Sequence, residues 1–177
     1  LITGVITDIF TWQNNKLVNI TLNPTTGMSD DTFRLNTSIS IQDINDDGYP
    51  EVPRPNALPT PDAVSSLDFW QVQWLQYDLK GKPTVVSTTY YNGEDGWYLV
   101  MPESWQGKVA LSRLDNTGSG ERGVLFYPYS AEQGEGGAAL RPFLSVYKLT
   151  GPNRKTRANA EGRFILLEED DVIYAAD

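Results

Sequence analysis

Nine residues, Asp43-Ile44-Asn45-Asp46-Asp47-Gly48-Tyr49-Pro50-Glu51, hold the densest set of oxygen donors in the chain. Asp43, Asn45 and Asp47 stand at the first, third and fifth places. Hard cations such as calcium take about six to eight oxygens from carboxylates, carboxamides and backbone carbonyls, and a loop with alternating side chains aims three of them inward. Gly48 allows the sharp turn that a side chain resists. Tyr49 follows as a carbonyl donor, and Glu51 can close the site directly or through water. A helix–loop–helix calcium site needs Glu at the twelfth place. Arg54 stands there instead, and Pro50, Pro53 and Pro55 forbid an exiting helix. The loop is therefore expected between extended segments, with calcium as its ion and Asp43, Asn45, Asp47, Tyr49 and Glu51 as its ligands. The same residues also suit an Asx-rich turn that bonds only to its own backbone N–H groups.

The surrounding segment "ISIQDINDDGYPEV" resembles the FG-GAP/VCBS-type calcium-loop repeat of propeller blades and bacterial exported proteins. That pattern runs Asp-x-Asn/Asp-x-Asp-Gly-x-x-Asp/Glu after a strand. It covers residues 39–53, and the five candidate ligands match its places one by one. There are two departures. Asp46 stands where a small residue is usual, and Glu51 replaces the commoner Asp. The resemblance implies a blade-like antiparallel unit and an extracellular or cell-surface setting. One loop does not make a propeller, which needs several blades.

Other constellations carry weaker chemistry. Trp70, Trp74, Trp97 and Trp105, with Tyr90, Tyr91 and Tyr98 among them, offer faces on which sugar rings stack. Glu94, Asp95 and Glu103 would then supply a carboxylate pair for glycoside hydrolysis. A carbohydrate-binding or carbohydrate-active protein using region 69–105 is thus the alternative reading. Against it, Trp70, Val72 and Trp74 alternate as a buried strand face does. Arg154, Lys155, Arg157 and Arg163 form a basic cluster that suits either an acidic partner or the solvated face of a short helix. Asn19-Ile20-Thr21 and Asn36-Thr37-Ser38 are glycosylation sequons, with meaning only in a eukaryotic secretory setting.

Composition narrows the rest. The 177 residues contain no His and no Cys. That removes Ser-His-Asp and Cys-His machinery, imidazole acid–base work, zinc ribbons and disulfides. An enzyme here would rely on carboxylates, Lys, Tyr, Ser or Arg, and no such set is assembled by spacing. A net charge of −9 repels nucleic acid phosphates and anionic lipid. No apolar run reaches the roughly 20 residues that span a bilayer. Leu1 is not an initiator Met and no basic leader follows, so the sequence reads as a processed form or an excised piece. Membrane association is expected only through a lipid anchor removed before it.

The elements that must position these groups are mostly short strands between turns. "VITDIFTW" and "KLVNITL" flank Asn14-Asn15 as a hairpin. "RLNTSISI" reads as a strand leading into the acidic loop. The five prolines from Pro50 to Pro61 exclude a central strand and read as an extended surface connection, ending in a short turn near Pro61 to Ser66. "FWQVQWLQYDL" and "TVVSTTYY" form a second hairpin about Gly81, and Asn92 to Gly96 make another turn. "WYLV", "KVALSRLD", "RGVLFYPY", "FLSVYKLT", "RFILLEE" and "DVIYAA" are further strands. Ser130 to Ala139 is a glycine-rich loop, and Pro152 to Gly162 is the best helix candidate.

Residues 97–176 resemble the small PsbP-like α+β domains of bacterial lipoproteins, through "LVMPESWQGK" and a closing "VIYAA" strand. The resemblance rests on hydrophobic positions and brings no catalytic residue. The expected fold is mainly β, of antiparallel hairpins resembling propeller blades, with a small α+β C-terminal part. The expected division is 1–90 and 91–177. The expected role is a non-enzymatic extracellular or cell-surface module, bacterial and exported, with an unidentified protein or glycan partner.

Overall fold

The computed structural model describes residues 4–35, 38–61, 69–130, 141–160 and 162–177. Among the described residues the chain is mainly β, with three antiparallel sheets and one short α-helix. It divides into two compact units, Leu1–Ala57 with Trp70–Met101, and Leu58–Phe69 with Pro102–Asp177. The division thus falls after Met101 rather than at residue 90, and the second unit draws one segment from inside the first.

The first unit opens with a hairpin of β1 (Phe10–Gln13) and β2 (Lys16–Asn19). Asn14 and Asn15 form its two-residue turn at φ 49° and 60°. Both sit in the left-handed region that a type I′ turn demands and that Asn tolerates. This hairpin is a sheet of its own. The second sheet runs in sequence order: β3 (Val52–Ala57), β4 (Trp70–Tyr77), β5 (Pro83–Asn92) and β6 (Trp97–Val100). Four strands in an up-and-down order are what one propeller blade contains.

Two expectations fail here. "RLNTSISI" forms no strand among its described residues; Arg34 makes one bridge to Val5, and Gln42 makes one to Glu51. The proline-rich run, expected as a mere connection, supplies β3. It pairs only with β4, so it is a sheet edge. Glu51 exchanges both backbone bonds with Gln42, facing away from β4. The two-residue alternation of an antiparallel strand then turns Pro53 and Pro55 outward too, where no ladder N–H is missed.

The core of this unit gathers Ile39, Val72 and Trp74, with Ile44, Trp70, Val86 and Tyr91 packed against them. Trp74 is fully buried, and its indole N–H donates to Thr89 Oγ1 at 2.9 Å. That bond satisfies the one polar atom which a buried indole brings with it.

In the second unit, β7 (Val109–Asn116), β8 (Glu121–Pro128), β9 (Leu144–Thr150), β10 (Phe164–Glu168) and β11 (Val172–Ala176) form a five-stranded sheet in the order β10-β11-β9-β8-β7. The helix α1 spans only Arg154–Ala158, shorter than the 152–162 expected. Ala158 buries against Tyr147, Leu149, Ile173 and Ala175, so one small residue docks an otherwise polar turn. Trp105, Phe126 and Phe143 pack edge to face with centroids 5.0–6.5 Å apart. The glycine-rich loop after Ser130 and the turn expected near 61–66 fall, apart from Ser130 and Pro61, outside the described residues.

Candidate metal centre

The acidic loop is pinned at its base. Glu51 N–H donates to the Gln42 carbonyl at 2.9 Å, and Gln42 N–H returns to the Glu51 carbonyl at 3.4 Å. Its aliphatic residue, Ile44, packs on Ile39, Val72 and Trp74, which anchors the loop to the core. Gly48 adopts φ 88°, and Asp46 adopts φ 57° with its side chain in solvent. Aspartate is among the few side chains that visit this region at modest cost.

Within the loop, carboxylates accept from backbone donors. Asp43 Oδ1 accepts Asp47 N–H at 3.0 Å, and Oδ2 accepts Gly48 N–H at 2.8 Å. Asn45 Oδ1 accepts the same Asp47 N–H at 3.2 Å, while the Asn45 carboxamide donates to Asp47 Oδ2 at 3.0 Å. Asp47 Oδ1 accepts Tyr49 N–H at 2.9 Å. Asp43, Asn45 and Asp47 thus accept from loop backbone N–H groups, and Asn45 also bonds Asp47, in the manner of an Asx-rich turn. The Tyr49 ring points to solvent, at 67% exposure.

Glu51 differs from the rest. It is a fully buried carboxylate. Its Oε2 accepts Ile44 N–H at 3.0 Å, and its Oε1 accepts from the Gln76 carboxamide at 3.4 Å. The same Gln76 nitrogen donates to Asp47 Oδ2 at 2.9 Å and so joins Asp47 to Glu51. Burial pushes the Glu51 carboxyl above its ordinary value, and the Asp47 and Asp43 charges add to that push, against the Ile44 and Gln76 donors. Asp47 goes the other way: the Tyr49 N–H above all, helped by Asn45 and Gln76, holds it below the ordinary carboxylate value against the cost of desolvation.

Sequence reasoning missed Gln76. It lies on β4, 25 residues beyond Glu51. Its only sequence signal is a polar residue at the end of an alternating strand. Among the described residues, no group of three or more His, Cys, Asp or Glu side chains converges as a metal cluster. A cation here would draw on Asn45 and on backbone oxygen as well as on carboxylates, which is ordinary for calcium.

The aromatic region is divided: Trp70, Tyr91, Trp97 and Trp105 are half-buried and Tyr98 is exposed. Trp74 and Tyr90 are buried; Tyr91 stacks edge-on to Trp74 at 6.1 Å, and Trp97 to Tyr90 at 5.3 Å. Asp95 is buried in its turn, where its N–H donates to Asn92 Oδ1 and its Oδ2 accepts from the Asn92 carboxamide. Trp105 and Glu103 belong to the second unit. The basic cluster is also engaged within the fold. Arg154 donates to the Asp170 and Gly151 carbonyls, Arg157 to the Thr150 carbonyl, and Lys155 pairs with Glu168 at 2.8 Å. Arg163 pairs with Glu121 at 2.8 Å and lies 3.8 Å over the Tyr147 ring. No family model, no curated protein and no solved structure matches this chain.

Proposed function

We propose that the chain is a non-enzymatic module, extracellular or cell-surface, in which the loop from Asp43 to Glu51 takes one calcium ion as a structural staple. The observation that supports this reading best is Glu51. A carboxylate is costly to bury without a compensating charge, and this one is buried beside two others. A divalent cation bound at this loop would offset that repulsion. Asn45 and the Tyr49 carbonyl add neutral oxygen donors, and Gly48 gives the turn its tightness. Calcium fits best because every donor is oxygen and the ring of donors is a flexible loop. The ion would tie the Gln42 bridge to the start of β3 and, through Gln76, to the end of β4.

The exposure of Asp43, Asn45 and Asp47 suits an affinity on the order of 10⁻⁴ to 10⁻³ M, the range of extracellular modules. Such a site fills where calcium is millimolar and stays empty in a calcium-poor cytosol. The test is thermal unfolding in EGTA and in millimolar calcium, for the parent chain and for Asp47→Ala. A calcium-induced rise in melting temperature, lost in the variant, is expected. An equal response in both, or none in the parent chain, refutes the reading. The comparison within each protein matters, because Asp47→Ala also removes the acceptor of the Tyr49 N–H.

A further inference from the structure

A second site lies beside the acidic loop, in the same unit. An open cleft of about 720 Å³ runs between β1, the loop and the end of β4. That volume falls in the range of about 300–1,000 Å³ typical of binding clefts. Its walls are large apolar side chains that the fold leaves in water: Phe10 at 56% exposure, Ile41 at 41%, Tyr49 at 67% and Leu79 at 70%. These four residues gather around one concavity. The cleft is also built rather than floppy. Gln13 donates to the Leu79 carbonyl at 2.6 Å, which fixes the β1–β2 hairpin against the β4–β5 turn. Gly81 in that turn lies so close to Ile20 that a Cβ would sit 1.9 Å from the Ile20 carbonyl oxygen.

Charge supplies the second observation. Asp8 and Asp78 stand at the rim, both exposed. Ser29 and Asn19 hold Asp8 below the ordinary carboxylate value, and the Lys82 and Lys80 backbone N–H groups do the same for Asp78, so both stay ionised. Lys80 and Lys82 offset Asp78 in part, and Arg34, bonded to Thr7 Oγ1 at 2.9 Å, and Arg54, beside Tyr77, add positive charge at the walls. Without calcium, the loop's Asp43, Asp46, Asp47 and Glu51 leave the surplus negative, in a chain whose net charge is −9. An acid-rimmed apolar cleft complements a ligand that is apolar in its body and cationic at its edge. A second copy of this anionic chain would be repelled.

We infer that this cleft docks a segment of a protein partner that carries an aromatic or branched aliphatic side chain next to Lys or Arg. The apolar side chain enters among Phe10, Ile41, Tyr49 and Leu79, and the cation lies against Asp8 and Asp78. The docking requires no metal, so it stands apart from the calcium reading.

The test uses fluorescence anisotropy with the full chain and a fluorescein-labelled peptide, Gly-Arg-Trp-Leu-Lys-Gly. The acidic Gly-Glu-Trp-Leu-Glu-Gly and the truncated Gly-Arg-Ala-Ala-Lys-Gly serve as references. All runs are made in EGTA. Saturable binding of the first peptide is expected, at least about tenfold tighter than of either reference. Half-molar salt should weaken it, since rim charges are screened. Leu79→Glu should weaken it by about tenfold or more; Leu79 is exposed, so the fold tolerates the change. Leu166→Glu, also exposed, on β10 in the other unit, should leave it unchanged. Absence of saturable binding, or binding that Leu79→Glu leaves intact, overturns the proposal. So does equal binding of the acidic peptide. Saturable binding of maltoheptaose without binding of the peptide also overturns it, in favour of a glycan site.

Discussion

Glu51→Gln is the sharpest perturbation of the loop, because its effect should change sign with calcium. Without the ion, the Glu51 charge opposes folding, since burial and the Asp47 and Asp43 charges raise its folded pKa above the ordinary 4.5. The folded state then binds the proton more tightly than the unfolded one, so stability falls as pH rises through the raised value. Gln removes the charge and keeps an oxygen to accept the Ile44 N–H. The variant should therefore melt higher than the parent chain in EGTA at pH 7. With calcium the order reverses, because the ion needs that carboxylate. Calcium at ten to a hundred times its Kd stabilises by about 1.4 to 2.7 kcal/mol. The loop belongs to a unit of roughly 90 residues, in which each kcal/mol moves the melting temperature by about 4–8 °C. A parent-chain shift of about 6 to 20 °C follows, against a few degrees for Glu51→Gln. Melting curves read by near-ultraviolet circular dichroism, in EGTA and in 10 mM calcium (about ten to a hundred times the expected Kd), check both arms. A variant that melts below the parent chain in EGTA refutes the argument about the buried charge. One that keeps the full calcium shift refutes the ligand role.

The same signs give a pH profile. Calcium-free protein should gain stability as pH falls from neutral through the raised Glu51 value, level off below 4.5, and then lose stability as Asp47, Asp8 and Asp78 take up protons below their ordinary 3.8; a midpoint that falls steadily from pH 7 to pH 5 in EGTA counts against it. Thr89→Val leaves the Trp74 indole N–H buried without its acceptor and should cost about 1–3 kcal/mol in urea unfolding, with part of the loss recovered in Trp74→Phe/Thr89→Val. Gly81→Ala places a Cβ 1.9 Å from the Ile20 carbonyl oxygen at φ 80°, so its melting temperature should drop by more than that of Gly107→Ala, whose Cβ meets nothing within 4 Å. Arg163→Ala strands Glu121, whose side chain is 13% exposed, and should cost about 3–5 kcal/mol in urea unfolding, more than Lys155→Ala at its exposed pair with Glu168.

Much of this architecture is written in local sequence. Asn14-Asn15 signals a tight hairpin because few residue pairs accept φ 49° and 60° together. The strands of the second unit are legible because each carries a short apolar run or alternation bounded by turn residues. What local pattern does not show is position within a sheet. The prolines of β3 argue against a strand unless the strand is an edge, and only the pairing with β4 alone decides that. The candidate site follows the same division. Asp43, Asn45, Asp47 and Gly48 announce themselves by spacing. The burial of Glu51 and its tie to Gln76 depend on a strand 25 residues away, and no window of the loop contains that. The aromatic region is ambiguous in sequence for a related reason: Trp and Tyr serve cores and binding faces alike, and only burial tells the two apart.

The excursion from Leu58 to Phe69 has a consequence for how this polypeptide can be cut. Leu58 N–H donates to the Phe69 carbonyl, so the excursion leaves and returns at one point. Within it, the Pro59 carbonyl accepts the Leu111 N–H of β7 at 3.0 Å. A gene fragment begun at Pro102 would encode all five strands of that sheet and still deprive Leu111 of its acceptor. The second unit cannot be made by a single truncation, because its smaller piece lies between the two pieces of the first. On the ribosome, the excursion emerges well before the strands it serves. The second unit therefore waits for its own C-terminal half with its first segment already made.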